Sequence, residues 1–182
     1  MEKKILKRYK RVMLFFIAML MISGITAIPV EAELNFLNKI LPETGALHQW
    51  ITRVLIAYRE VNAEHPFLLY GYDWLAFAHI IIALFFIGAY NDPVRNVWVV
   101  KAGLIACALI FPLAFIGGHF RGIPFCWQLI DCSFGVFGAM PLYYCLQLTK
   151  KLESQQQQQN QNRIKNGNND HPNCLVERQI AG

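Results

Sequence analysis

Residues 74–90 read WLAFAHIIIALFFIGAY, seventeen positions with one imidazole and no formal charge. A run of this length is at the short edge of what crosses a bilayer core as a helix. Beginning it at Phe67 lengthens it to about 24 residues, or about 36 Å at the helical rise, enough to cross with tilt. Asn91-Asp92-Pro93 then reads as a tight turn, with Asp92 capping a new helix whose first position is Pro93. The next apolar run, Val97 to Ile116, carries Lys101 near its start and Pro112 near its end. A loop follows from Gly117 to Gly122, and Pro124 opens a last apolar stretch to Leu148, stopped by Lys150 and Lys151. Short connections between long runs force antiparallel neighbours, so residues 67–149 are expected to form a three-span, up-and-down helical bundle.

Composition agrees with an integral membrane protein. Of 182 residues, 55% are hydrophobic and only 16% charged, with a net charge of +5. A soluble helical bundle does not account for three such runs with so few charges. The positive excess sits in the first eleven residues, where six Lys and Arg accompany Glu2, and the remainder of the chain is neutral overall. A cluster abutting an apolar run is an orientation signal and not a nucleic-acid face, so no nucleic-acid partner is expected.

That apolar run is VMLFFIAMLMISGITAI, Val12 to Ile28. A basic flank, an apolar stretch and Val30-Glu31-Ala32, with small residues at the −3 and −1 positions, make residues 1–32 a secretory signal peptide cleaved after Ala32. The alternative is an uncleaved anchor, which raises the span count to four. In either case the basic flank stays cytoplasmic, which places the C-terminus in the cytoplasm. Beyond the leader, Arg95, Lys150 and Lys151 fall inside but Lys39, Arg53, Arg59 and Arg121 fall outside, so the later charges add little to the orientation.

Residues 33–66 form the outer segment. Within it, residues 44–61 place Leu47, Trp50, Ile51, Val54, Leu55, Tyr58 and Val61 on one helical face, an amphipathic helix that lies in the interface or packs on the spans. Residues 150–182, with Gln155 to Gln159 and then Asn160, Gln161 and Asn162, have no apolar periodicity through Asp170 and read as a disordered cytoplasmic tail holding Cys174 as a reduced thiol.

Ionisable groups inside spans are the best functional leads. His79 lies about 9 Å below the outer surface and Asp131 about 10 Å, by helical rise from Asp73 and Pro124. The matching depths predict an intramembrane His79–Asp131 pair, with His119 and Arg121 above it at the outer mouth. Such a pair either fixes helix register or serves proton-coupled or small-solute transport. Lys101 can snorkel to the interface. Gly135, Gly138 and Ala139 on the last span, with Gly103 and Ala106 on the one before, offer small surfaces for close helix approach. No metal site is expected from five cysteines without C-x-x-C spacing, and Cys126 and Cys132 point about 240° apart on a helix. Haem lacks a second axial ligand at the depth of His79. No nucleophile elbow, zinc-protease motif or phosphate loop appears, so neither enzyme nor cofactor is expected.

WLAFAHIIIALFF, YNDPVRNVWVV and RGIPFCWQLIDCSFGVFG together resemble an uncharacterised family of small bacterial multispan inner-membrane proteins, over about residues 50–148. The resemblance implies a multispan architecture and a bacterial cytoplasmic membrane, without an activity. The expectation is a non-enzymatic accessory or structural subunit, partnered by the lipid bilayer and by another membrane protein or further copies of itself.

Overall fold

The computed structural model describes residues 2–169, with side chains to residue 165. Residues 170–182, including Cys174, lie outside the described residues. The chain is all-helical: α1 (Glu2–Thr26), α2 (Val30–Ile40), α3 (Ala46–Glu64), α4 (Tyr70–Asn91, opened by a 3-10 turn at Pro66–Leu69), α5 (Val97–Pro112), α6 (Gly118–Phe120) and α7 (Phe125–Asn169). Four helical stretches are long and apolar enough to cross a membrane: Glu2–Thr26, Pro66–Asn91, Val97–Phe120 and Phe125–Lys165. Their outward faces are apolar, with Phe85 65% and Phe137 68% exposed, as expected where lipid takes the place of water.

The segment that reads as a leader is a structural member of the bundle. α1 lies between α4 and α7, and α5 packs on α7 and also touches α4. Tyr9 and Met13 of α1 are fully buried in the main core, with Phe86 of α4, Val100 of α5 and Leu142 of α7 around them. Phe16 meets Phe86 edge to face, with ring centroids 4.9 Å apart. Near the other end of α1, Gly24 is so close to α4 that a methyl group there would stand 2.8 Å from the Ala76 carbonyl oxygen.

The α5–α7 contact uses the small residues in a similar way. A methyl group at Gly135 would stand 2.8 Å from the Cys107 carbonyl, and one at Gly138 3.2 Å from the Cys107 sulfur. Gly103 faces the Phe86 ring and Leu142. With no bulk at these positions the helix backbones approach closely, and dispersion replaces the hydrophobic drive that lipid cannot supply.

At the opposite end from the chain's N-terminus, α2 and α3 form a hairpin. Leu34 packs on Ile51 and Leu55, and Trp127 from the first turn of α7 joins them, seating the hairpin over that end of the bundle. Polar links fasten it: Thr52 donates to Asn38 at 2.8 Å, and Arg59 pairs with Glu31 at 2.8 Å. The amphipathic face expected over residues 44–61 is the face that packs, on a helix running two residues later at its start and three later at its end. α2 is an addition to the expected picture; the five residues that separate it from α3 give it a partner that its own sequence does not announce.

Three boundaries differ from expectation. Pro93 is buried in a four-residue turn and does not open α5, which begins at Val97. Asp92 therefore caps the turn, accepting from the Arg95 amide at 3.1 Å, while Asn96 donates back to the Gly88 and Asp92 carbonyls. The expected loop at Gly117–Gly122 is mostly helix. Pro112 lacks an amide and its ring presses on the carbonyl four residues earlier, so the helix widens into a π turn at Leu113–Gly117 and continues to Phe120. The chain then reverses at Gly122, whose φ of +66° closes a pair of helix-ending bonds: Gly122 to His119 at 3.1 Å and Ile123 to Gly118 at 2.9 Å.

The third difference is the polar tail, where residues 150–169 continue α7 as helix instead of disorder. Extending a formed helix requires no new nucleus, and Lys, Glu and Gln are good helix formers. α7 has 45 residues, about 68 Å at the helical rise, roughly twice the bilayer core. Leu152 remains buried, and Gln159 donates to Glu2 at 3.2 Å, so the first turn of α1 supports this extension.

Candidate functional site: polar groups held in the spans

His79 and Asp131 are not joined as expected. Their helices α4 and α7 are held apart by α1, which packs on both. His79 Nδ1 is bonded at 2.8 Å to the Leu75 carbonyl of its own helix, and its Cβ borders Gly24 of α1. Asp131 has no hydrogen-bond or ion-pair partner among the described residues and remains partly exposed. The depths do match by helical rise. Equal depth says nothing about azimuth, and α4 and α7 each pack on α1 rather than on one another.

His119 and Arg121 stand at the end of α6, both exposed, and His119 makes an edge contact with the Phe120 ring. Arg121 has no side-chain bond among the described residues. The polar side chain that is tied down here is Gln128, 8% exposed, whose Nε2 donates to the Ile123 carbonyl at 2.8 Å while its stem lies on Gly118. Gln128 holds the loop 121–124 against α7. A neutral amide in an apolar helix is a weak sequence signal, and only the nearby Gly118 and Gly122 hint that something must be held close. Ser133, next to Cys132, donates to the Ile130 carbonyl of its own helix at 2.6 Å and faces no base.

The other end of the bundle holds the tighter polar contacts. Tyr9 is fully buried, and its hydroxyl donates to the Ala89 carbonyl at 3.0 Å, capping α4 from within α1. Thr149, also buried, donates to the Cys145 carbonyl at 3.0 Å. Arg8 donates to the Tyr144 hydroxyl at 3.3 Å, and the Lys10 ammonium lies 5.0 Å over the Tyr90 ring. These contacts bring the six cations of Lys3–Arg11 level with Arg95, Lys101, Lys150 and Lys151, against Glu2, Asp92 and Glu153. The hairpin end instead carries four Lys and Arg against six acidic residues over 31–73 and 121. Charge is therefore separated along the bundle axis once α1 is counted.

Cys107, Cys126, Cys132 and Cys145 are unbridged thiols, and no three His, Cys, Asp or Glu among the described residues converge as metal ligands. Comparison with family models, curated proteins and solved structures finds no match to this chain.

Proposed function

We propose that this is a four-span protein of the bacterial cytoplasmic membrane, with both chain ends in the cytoplasm, acting as a non-enzymatic accessory subunit of a membrane assembly. The observation that carries the reading is Asp131. A carboxyl group partly exposed on an apolar span, with no partner inside the described chain, is expensive in lipid, and such groups pair across helices. A neighbouring helix from another subunit, or from a second copy, supplies that partner. His79 satisfies itself within α4, so the two groups are better read as separate than as one proton path.

Retention of α1 is supported by its packing. Removing residues 1–32 strips Tyr9, Met13 and Phe16 from the core and leaves α4 and α7 without the helix between them. Ala32 also lies in the first turn of α2, next to Glu31 and its ion pair with Arg59. Orientation follows from the ten cations gathered at one end of the bundle.

The test is the mass of the detergent-purified particle. The wild-type protein is expected to migrate as a complex larger than its 20.9 kDa chain. Asp131→Leu should accumulate normally, because no internal bond is lost, but run as the isolated chain. A monomeric wild type, or an assembly indifferent to Asp131→Leu, contradicts the accessory reading.

A further inference from the structure

On the side of α1 turned toward α7, Lys4, Arg8 and Arg11 fall within about 60° of one another, and Phe15 continues their line one turn further into the apolar stretch. On α7, Phe137, Met140, Tyr144 and Lys151 share a face by the same spacing. The Arg8–Tyr144 hydrogen bond, 3.3 Å, ties the two faces together. They therefore border one groove along the α1–α7 crossing.

This groove changes character along its length. At one end Lys4, Arg8, Arg11 and Lys151 are exposed and none of them is in an ion pair among the described residues. At the other, Phe15 is 61%, Phe137 68% and Met140 61% exposed. The change falls between the level of Lys150, where α7 regains charge, and that of Val12, where α1 loses it, on either side of the Arg8–Tyr144 bond, a band that brackets the membrane surface. Two guanidinium groups at that level favour a phosphodiester, since their planar forks match its oxygens. The aromatic and methionine faces above them fit an acyl chain.

We propose that the α1–α7 groove binds an anionic phospholipid of the cytoplasmic leaflet, with its phosphate on Arg8 and Arg11 and an acyl chain along Phe15 and Phe137. This rests on the retention of α1 argued above. The lipid supplies further anions at an end where ten cations face only Glu2, Asp92 and Glu153, and it fills a seam between two helices that are otherwise joined at the surface by two long hydrogen bonds, Arg8 to Tyr144 and Gln159 to Glu2.

Full-length protein in mild detergent, titrated with phosphatidylglycerol or phosphatidylcholine and followed by native mass spectrometry, tests this. Phosphatidylglycerol should be retained in preference, and Arg8→Gln/Arg11→Gln should weaken it about fivefold or more. Lys3→Gln/Lys10→Gln removes the same charge from positions turned about 80–160° away from Arg8 and Arg11 and should leave binding unchanged. Equal loss in both double variants, or equal retention of both lipids, overturns the groove while leaving the retained α1 intact. A mass lacking residues 1–32 overturns both. Should Arg8→Gln/Arg11→Gln fail to accumulate, Lys4→Gln/Lys151→Gln, which breaks no hydrogen bond, carries the same test.

Discussion

Two helix crossings in this bundle are built the same way and differ in how they are encoded. At the α5–α7 crossing, Gly135 presses on the Cys107 carbonyl; at the α1–α4 crossing, Gly24 presses on the Ala76 carbonyl, each with 2.8 Å available to a methyl group. Gly135 sits with Gly138 and Ala139 inside an evident span, where small residues announce packing. Gly24 sits in a stretch whose basic flank and apolar run announce secretion, and its small size there gives no sign of a helix contact. The same physical device is legible in one context and disguised in the other.

The largest effects should come from filling these contacts. Gly24→Ala and Gly135→Ala each force a backbone carbonyl to retreat, at about 1–3 kcal/mol in reversible unfolding in mixed detergent. Gly117→Ala, whose methyl would meet only the Leu113 side chain at 3.5 Å, should show no comparable loss. A silent Gly24→Ala beside a damaging Gly135→Ala would break the equivalence and remove α1 from the folded protein.

Tyr9→Phe deletes the hydroxyl that reaches Ala89 and leaves the ring in place. A loss of about 0.6 kcal/mol, and at most about 1.7, is expected by the same unfolding measurement. No change would mean that the Tyr9 hydroxyl does not hold the end of α4 and that packing alone joins α1 to it there. In the hairpin, Arg59→Gln should cost about 0–1 kcal/mol and lose even that at high salt, because the Glu31 pair is exposed. The smallest expected quantity is a coupling. His79→Leu and Asp131→Leu should be additive within about 0.5 kcal/mol in a double-mutant cycle, since the two groups make no common contact. Coupling beyond that would restore the intramembrane pair.

Much of the membrane core was readable because it depends on local quantities. Run length and the absence of charge fix which segments can span, and the three later apolar helices begin within a few residues of their expected starts, although the last runs well past Leu148. The amphipathic face of α3 was readable because periodicity encodes which side packs. α2 was not, because its burial depends on a partner helix. The tail beyond Lys150 was misread for a related reason: low complexity removes the apolar signal but not the capacity of Gln, Glu and Lys to extend a helix that is already nucleated.

Site residues fared differently. Asp131 was found as an unusual charge in a span, and Asp92 as a turn-forming residue. Their partners were not, because one-dimensional depth cannot supply azimuth or neighbour order. Gln128 and Tyr9 escaped notice since a neutral amide and a phenol in apolar runs carry no alarm, although both make buried or tightly held bonds across elements.

The sequence by itself determined that the chain is helical, that three stretches have the length and apolarity to span, and that positive charge collects before a first apolar run that reads as a signal peptide or a fourth span. These follow from transfer free energies and helix geometry, which act residue by residue. Only the tertiary structure decided that α1 lies between α4 and α7 and that His79 and Asp131 stand apart. Those outcomes depend on which helix takes which neighbour, and that choice is made by close packing across the whole bundle.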